Sequence, residues 1–154
     1  MAIDYAVLKA AILAETDAGF VAARDQGNNT LMARFYADAA VPTYYVWRST
    51  YTPDQIAAAI EVGITQLDAL APSKRDVLLW WAERSHNPAN SQAAIADMCG
   101  TQNTLKAAVI AGGKRTATRG EKLYAVGNGA GATPSTLGYD GAIRSDDISL
   151  ALSD

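Results

Sequence analysis

The chain has 154 residues, 49% of them hydrophobic with alanine supplying much of that share, 8% aromatic, and a formal net charge of −3. This length supports one ordinary core, the composition favours thin helix packing over a thick sheet sandwich, and the mild acidity gives no general reason to expect nucleic-acid binding. One cysteine, Cys99, excludes an intramolecular disulfide, while a basic, apolar leader and a run near the roughly 20 apolar residues of a bilayer span are both missing, so a soluble protein made in the cytosol, with no membrane partner, is expected.

Tyr5, Leu8, Ile12 and Leu13 recur at helical spacing behind Asp4, an N-cap residue, which predicts a first helix over 5–14. A second short helix is expected from Thr16 to Asp25, stopped by Gln26-Gly27, and a third from Asn29 or Thr30 through Tyr36, capped by Asn28 or Asn29. Between Ala39 and Tyr51 the run Val41-Pro-Thr-Tyr-Tyr-Val-Trp47 is rich in aromatic and β-branched residues and predicts an extended segment. Thr52-Pro53 is a helix start signal. It opens a helix carrying Ile56, Ile60 and Ile64, with an interruption expected near Gly63.

After Pro72-Ser73, the segment Lys74 to Arg84 crowds Val77, Leu78, Trp80 and Trp81 into one stretch, which places the centre of the core there. Asn87-Pro88-Ala-Asn90 reads as a break, with Asn90 or Ser91 capping a helix that ends at Gly100; another runs from Thr101 to Ala111 and stops at Gly112-Gly113. Thr118 with Glu121 three residues on is a capping box for a last body helix. From Gly127 to Pro134 the composition is that of a flexible linker, yet Leu137, Tyr139 and Ile143 follow, and Ser145-Asp-Asp opens a two-turn helix bearing Ile148 and Leu150. The expected fold is therefore mainly α: a compact bundle of short helices, residues 1–126, with one short extended aromatic segment and a C-terminal extended arm, residues 127–154.

Chemistry-bearing clusters are sparse. The lone His86 and Cys99 could form a catalytic pair, but a buried structural cysteine and a histidine at a helix C-terminus account for them better. Asp146-Asp147 is the obvious carboxylate pair, and its place in a first helical turn is where acids are stabilised anyway. Gly127-Asn-Gly-Ala-Gly lacks the strand and the Gly-Lys-Ser/Thr ending of a phosphate loop. No catalytic, cofactor or metal residue is expected.

Charge is uneven: residues 1–72 hold eight acids and four bases, whereas residues 101–139 hold five bases against Glu121. Lys114, Arg115, Arg119 and Lys122 form a basic segment suited to an acidic protein surface or to phosphates, with a solvated helix start as the plain alternative. Tyr44, Tyr45, Trp47 and Tyr51 could anchor a partner or pack a core. Leu137, Tyr139, Ile143, Ile148 and Leu150 are too apolar to be left in water, and a neighbouring subunit is their expected partner, since the body's core is placed upstream.

The strings Tyr45-Val-Trp47-Arg48-Ser-Thr, Thr52-Pro-Asp-Gln-Ile, Leu67-Asp-Ala-Leu with Arg75 and Trp80, Lys114-Arg-Thr-Ala-Thr-Arg-Gly-Glu-Lys-Leu-Tyr124 and Leu137-Gly-Tyr-Asp-Gly resemble small proteins encoded in the structural gene modules of tailed bacteriophages. The similarity spans about Leu8 to Leu150 and carries no catalytic residue. It implies a virion component made in the bacterial cytoplasm, at the neck (head–tail joining) or in the tail. Such a subunit would form a homo-oligomeric ring through two different faces and contact other head, neck or tail proteins. A nucleic-acid-associated phage protein using residues 114–122, with no specific DNA contact expected, is the alternative.

Overall fold

The computed structural model describes residues 2–48, 52–84 and 88–153. In chain order its elements are α1 (Tyr5–Ala14), α2 (Ala18–Asp25), α3 (Asn29–Ala37), β1 (Tyr45–Trp47), α4 (Pro53–Asp68), α5 (Pro72–Ala82) and α6 (Pro88–Cys99). There follow α7 (Asn103–Gly113), β2 (Lys114–Thr116), α8 (Arg119–Tyr124), β3 (Ala125–Val126), β4 (Thr136–Leu137) and α9 (Ser145–Ser153). The fold is mainly helical, and its short strands pair as β1 with β2 and β3 with β4. The chain divides into two units, each built from separate stretches: unit 1 from Met1–Tyr44, Thr116–Val126 and Leu137–Asp154, unit 2 from Tyr45–Arg115 and Gly127–Thr136. This is not the expected body followed by an arm, because the glycine-rich stretch joins one unit and the residues after it join the other.

In unit 1 the helix starts follow local capping chemistry. Asp4 accepts from the N–H groups of Ala6 and Val7, and Asp17 accepts from those of Gly19 and Phe20. Because Asp17 is the residue that caps, α2 begins at Ala18, two residues later than Thr16 suggested. Gly27, at φ 65°, turns the chain out of α2 in a conformation that side chains other than glycine rarely adopt. Thr118 and Glu121 close the expected capping box of α8. The core gathers Leu8, Ile12, Phe20, Met32 and Tyr36 with Ile143, Ile148 and Ala151. Phe20 sits 4.7 Å from Phe35 and 5.6 Å, edge-on, from Tyr36.

The C-terminal residues are thus part of this core rather than an arm held out for a neighbour. α9 packs on α1 and α3, and Ile148 is fully buried. Its start is fixed by Asp147, which accepts from the Arg144 N–H at 2.8 Å and from the Tyr5 hydroxyl at 3.3 Å, so Ser145 is the first helical residue and not the cap. The Asp146-Asp147 pair is accounted for as helix-start acids.

In unit 2, α4 and α7 form the most extensive helix pair. The expected interruption at Gly63 is not there: α4 runs unbroken past it. Gly63 serves contact instead, since a Cβ at that position would lie 2.6 Å from Leu105 Cδ1 and 2.9 Å from Leu105 Cα. One turn on, Gln66 Oε1 accepts from the Leu105 N–H at 2.9 Å, so α4 caps α7, whose own Gln102 makes no side-chain cap bond. Trp47, Leu78, Ile95, Met98, Cys99, Leu105, Val109 and Ile110 form the core around this pair.

Three further boundaries differ from expectation. α5 starts at Pro72 and α6 at Pro88, because proline suits the first helical turn, where its missing N–H is not needed. α7 continues through Gly112 to Gly113, neither of which adopts positive φ. Gly100 does, at φ 53°, and ends α6 as predicted.

The glycine-rich stretch is not a loose linker. Tyr45 donates to Gly129 O at 2.8 Å, Ser135 donates to Tyr45 O at 2.9 Å, and Trp47 donates to Ser135 O at 3.0 Å, so the segment lies hydrogen-bonded along β1. The Ser135 hydroxyl closes the turn by accepting from the Gly129 N–H at 2.8 Å. Gly127 is required for close approach as well as for its φ of 130°: a Cβ there would meet Ser135 Oγ at 2.6 Å.

Candidate functional site

The basic segment is divided between the two units. Lys114 belongs to unit 2, where its Nζ donates to Gly131 O at 2.8 Å and stands 4.6 Å above the Tyr45 ring. Arg119 and Lys122 belong to unit 1. Arg119 lays its guanidinium 3.8 Å over the Phe35 ring, and Lys122 Nζ lies 5.7 Å over Tyr44 and donates to Val41 O at 3.4 Å. Arg115 is half-buried. The aromatic run divides likewise: Trp47 is core, Tyr44 and Tyr45 each lie under a lysine, and Tyr51 falls outside the described residues.

Of the apolar residues expected to meet a neighbour, Ile143 and Ile148 are enclosed by their own unit and unavailable at the surface. Leu137 and Tyr139 are half-buried, Tyr139 standing 5.7 Å edge-on from Tyr124. Leu150 is exposed. A helix of two turns cannot hide all its apolar residues, and α9 spends its inward face on Ile148 and Ala151.

α5 presents a surface that residue counting misassigned to the core. Leu78 and Ala82 point inward, and Trp81 packs half-buried against the same core. Trp80, at 57% exposed, and Val77, at 48%, stand on the outer face. The Arg84 guanidinium sits 4.7 Å over the Trp80 ring, a cation–π contact that orders the indole. Val77 and Trp80, three residues apart, share one side of α5, and Arg84 follows just past its end, a signal present in the sequence but masked by the density of apolar residues.

Unit 1 holds a cleft of about 640 Å3 between the α1–α2 turn, α3 and α8, lined among others by Glu15, Asp17, Tyr36, Val41, Arg119 and Lys122. Tyr36 is only 4% exposed, and among the described residues its hydroxyl has no hydrogen-bond partner; Arg119 Nε is likewise buried and unpartnered there. Burial, reinforced by the Glu15 charge, raises the Tyr36 pKa well above the ordinary phenol value, so the hydroxyl stays protonated. The carboxylates of Glu15 and Asp17 are engaged by backbone amides, Glu15 by Thr16 and Asp17 N–H groups at 2.9 and 3.0 Å, Asp17 by those of Gly19 and Phe20. Among the described residues ion pairs join Arg24 to Asp25 and Lys74 to Asp97, and none involves Arg119 or Lys122.

Cys99 is buried, and burial pushes its thiol pKa up, which suits packing rather than nucleophilic attack. His86 lies outside the described residues. Among the described residues there is no group of three or more His, Cys, Asp or Glu placed to hold a metal ion, and no helix is long and apolar enough to cross a membrane. Compared with models of known protein families, with curated proteins and with solved structures, the chain matches none.

Proposed function

We propose that this chain is a structural subunit of a tailed-phage virion, placed at the neck or in the tail, that works by docking onto copies of itself and onto other virion proteins rather than by catalysis. The phage assignment rests on the sequence strings quoted above. The observation that carries the docking role is the outer face of α5, where Trp80, exposed and stacked by Arg84, stands beside Val77. Tryptophan and arginine are the residues most enriched where interfaces concentrate their energy, and a stacked, preordered indole loses little further freedom on contact. Two dissimilar units give the protomer the distinct faces that a heterologous ring needs.

The nucleic-acid alternative is weakened because Lys114, held on Tyr45 and the Gly131 carbonyl, belongs to unit 2, while Arg119 and Lys122 share their cleft in unit 1 with Glu15 and Asp17. The test is a Trp80→Ala chain supplied in place of the natural one during phage growth. The expected result is a folded protein, unchanged in circular dichroism, that is lost from purified particles. Normal incorporation of that variant would remove the α5 face as the docking surface.

A further inference from the structure

We infer that the unit 1 cleft is a carboxylate-binding site, built to take an Asp or Glu side chain from an extended segment of a partner protein. A buried donor without an acceptor costs free energy that packing alone does not return, and native folds retain few. Here two such groups, Tyr36 Oη and Arg119 Nε, belong to residues lining one cleft, and among the described residues no carboxylate forms an ion pair with Arg119. A guanidinium, an ammonium and a phenol held protonated form a donor set for an oxyanion.

The other lining residues choose among oxyanions. Glu15 and Asp17 line the same cleft, so a strand of phosphates following it would set its negative charge against two carboxylates. One side-chain carboxylate brings a single charge, which Arg119 and Lys122 together exceed, and leaves Glu15 and Asp17 to accept from the N–H groups of the segment that bears it. Val41, 71% exposed, supplies an apolar lip for the next side chain. The bearer being a protein segment rests on the assembly reading; the site itself does not.

The test is solution NMR on the whole chain, following the Arg119 Nε–H resonance. The probes are N-acetyl-aspartyl-leucine amide, its asparaginyl counterpart and inorganic phosphate. The expected result is a saturable shift with the aspartyl peptide, with affinity on the order of millimolar as for a solvent-accessible ion pair, and none with the asparaginyl peptide. Read through the Val41 and Leu123 amides, Arg119→Gln abolishes the response and Tyr36→Phe weakens it about three- to tenfold. Lys122→Gln, which removes no buried group, weakens binding without touching the core and keeps the test valid if Arg119→Gln unfolds. No shift, equal shifts with both peptides, or tighter binding of phosphate would overturn the inference. Because no particle is involved, this outcome is separable from the fate of the assembly reading.

Discussion

At the scale of single residues, unit 1 holds tyrosines whose surroundings differ from water in ways that can be measured. The Tyr36 hydroxyl is buried without a partner, so Tyr36→Phe removes a polar group that pays desolvation and receives nothing. Denaturant unfolding of that variant is expected to show a gain of about 1 kcal/mol, and a loss of that size would mean the hydroxyl is satisfied. Gaining stability while losing carboxylate affinity is the signature of a group kept for binding. Burial, followed by the Asp4 charge, pushes the Tyr124 phenol up to about 12; burial first, then Asp147, raises Tyr5, and Tyr36 rises too. As pH climbs past the ordinary value of 10.0, the unfolded chain releases these protons before the folded one does. Stability should therefore be full below pH 10 and fall toward pH 12. An alkaline titration followed by phenolate absorbance should show these tyrosines ionising late, together with unfolding; stability flat across that window would contradict the burial.

At the scale of elements, the packing of α4 on α7 decides unit 2. Gly63→Ala raises intrinsic helix propensity by about 1 kcal/mol, yet its Cβ would meet Leu105 backbone at 2.9 Å. A net loss of about 1–3 kcal/mol is expected, and a gain in melting temperature would show that the helices can part without cost. On α5, Leu78→Ala should cost about 2–5 kcal/mol, whereas Trp80→Ala should cost less than about 1 kcal/mol. Equal losses would place Trp80 in the core. The sequence made most of these elements legible where the signal is local: Asp4, Thr52 and the Thr118–Glu121 box mark helix starts because a cap bonds its own chain within three residues. It hid what depends on partners distant in sequence. Gly63 reads as a breaker until Leu105 is beside it, and the glycines after Val126 read as a linker until β1 supplies their hydrogen bonds.

At the scale of the molecule, the same locality explains why the two units and the cleft could not be read in advance. Arg119 and Lys114 are five positions apart and read as one basic patch, but the chain passes from unit 2 to unit 1 between them. Apolar content near the C-terminus was plain, yet nothing local says that Ile143 and Ile148 close onto Leu8 and Met32 of their own chain. A chain cut after Val126 loses that part of the unit 1 core and the glycine-rich stretch of unit 2, so it should lose cooperative unfolding; a sharp transition near that of the full chain would restore the view of a dispensable arm. The central claim, that this is a docking subunit of a phage particle, is tested most directly by quantitative mass spectrometry of purified particles from the phage that encodes it. Multiple copies per particle, at a constant ratio to the major capsid protein, are the expected result; a chain abundant in infected cells but absent from the particles would contradict it.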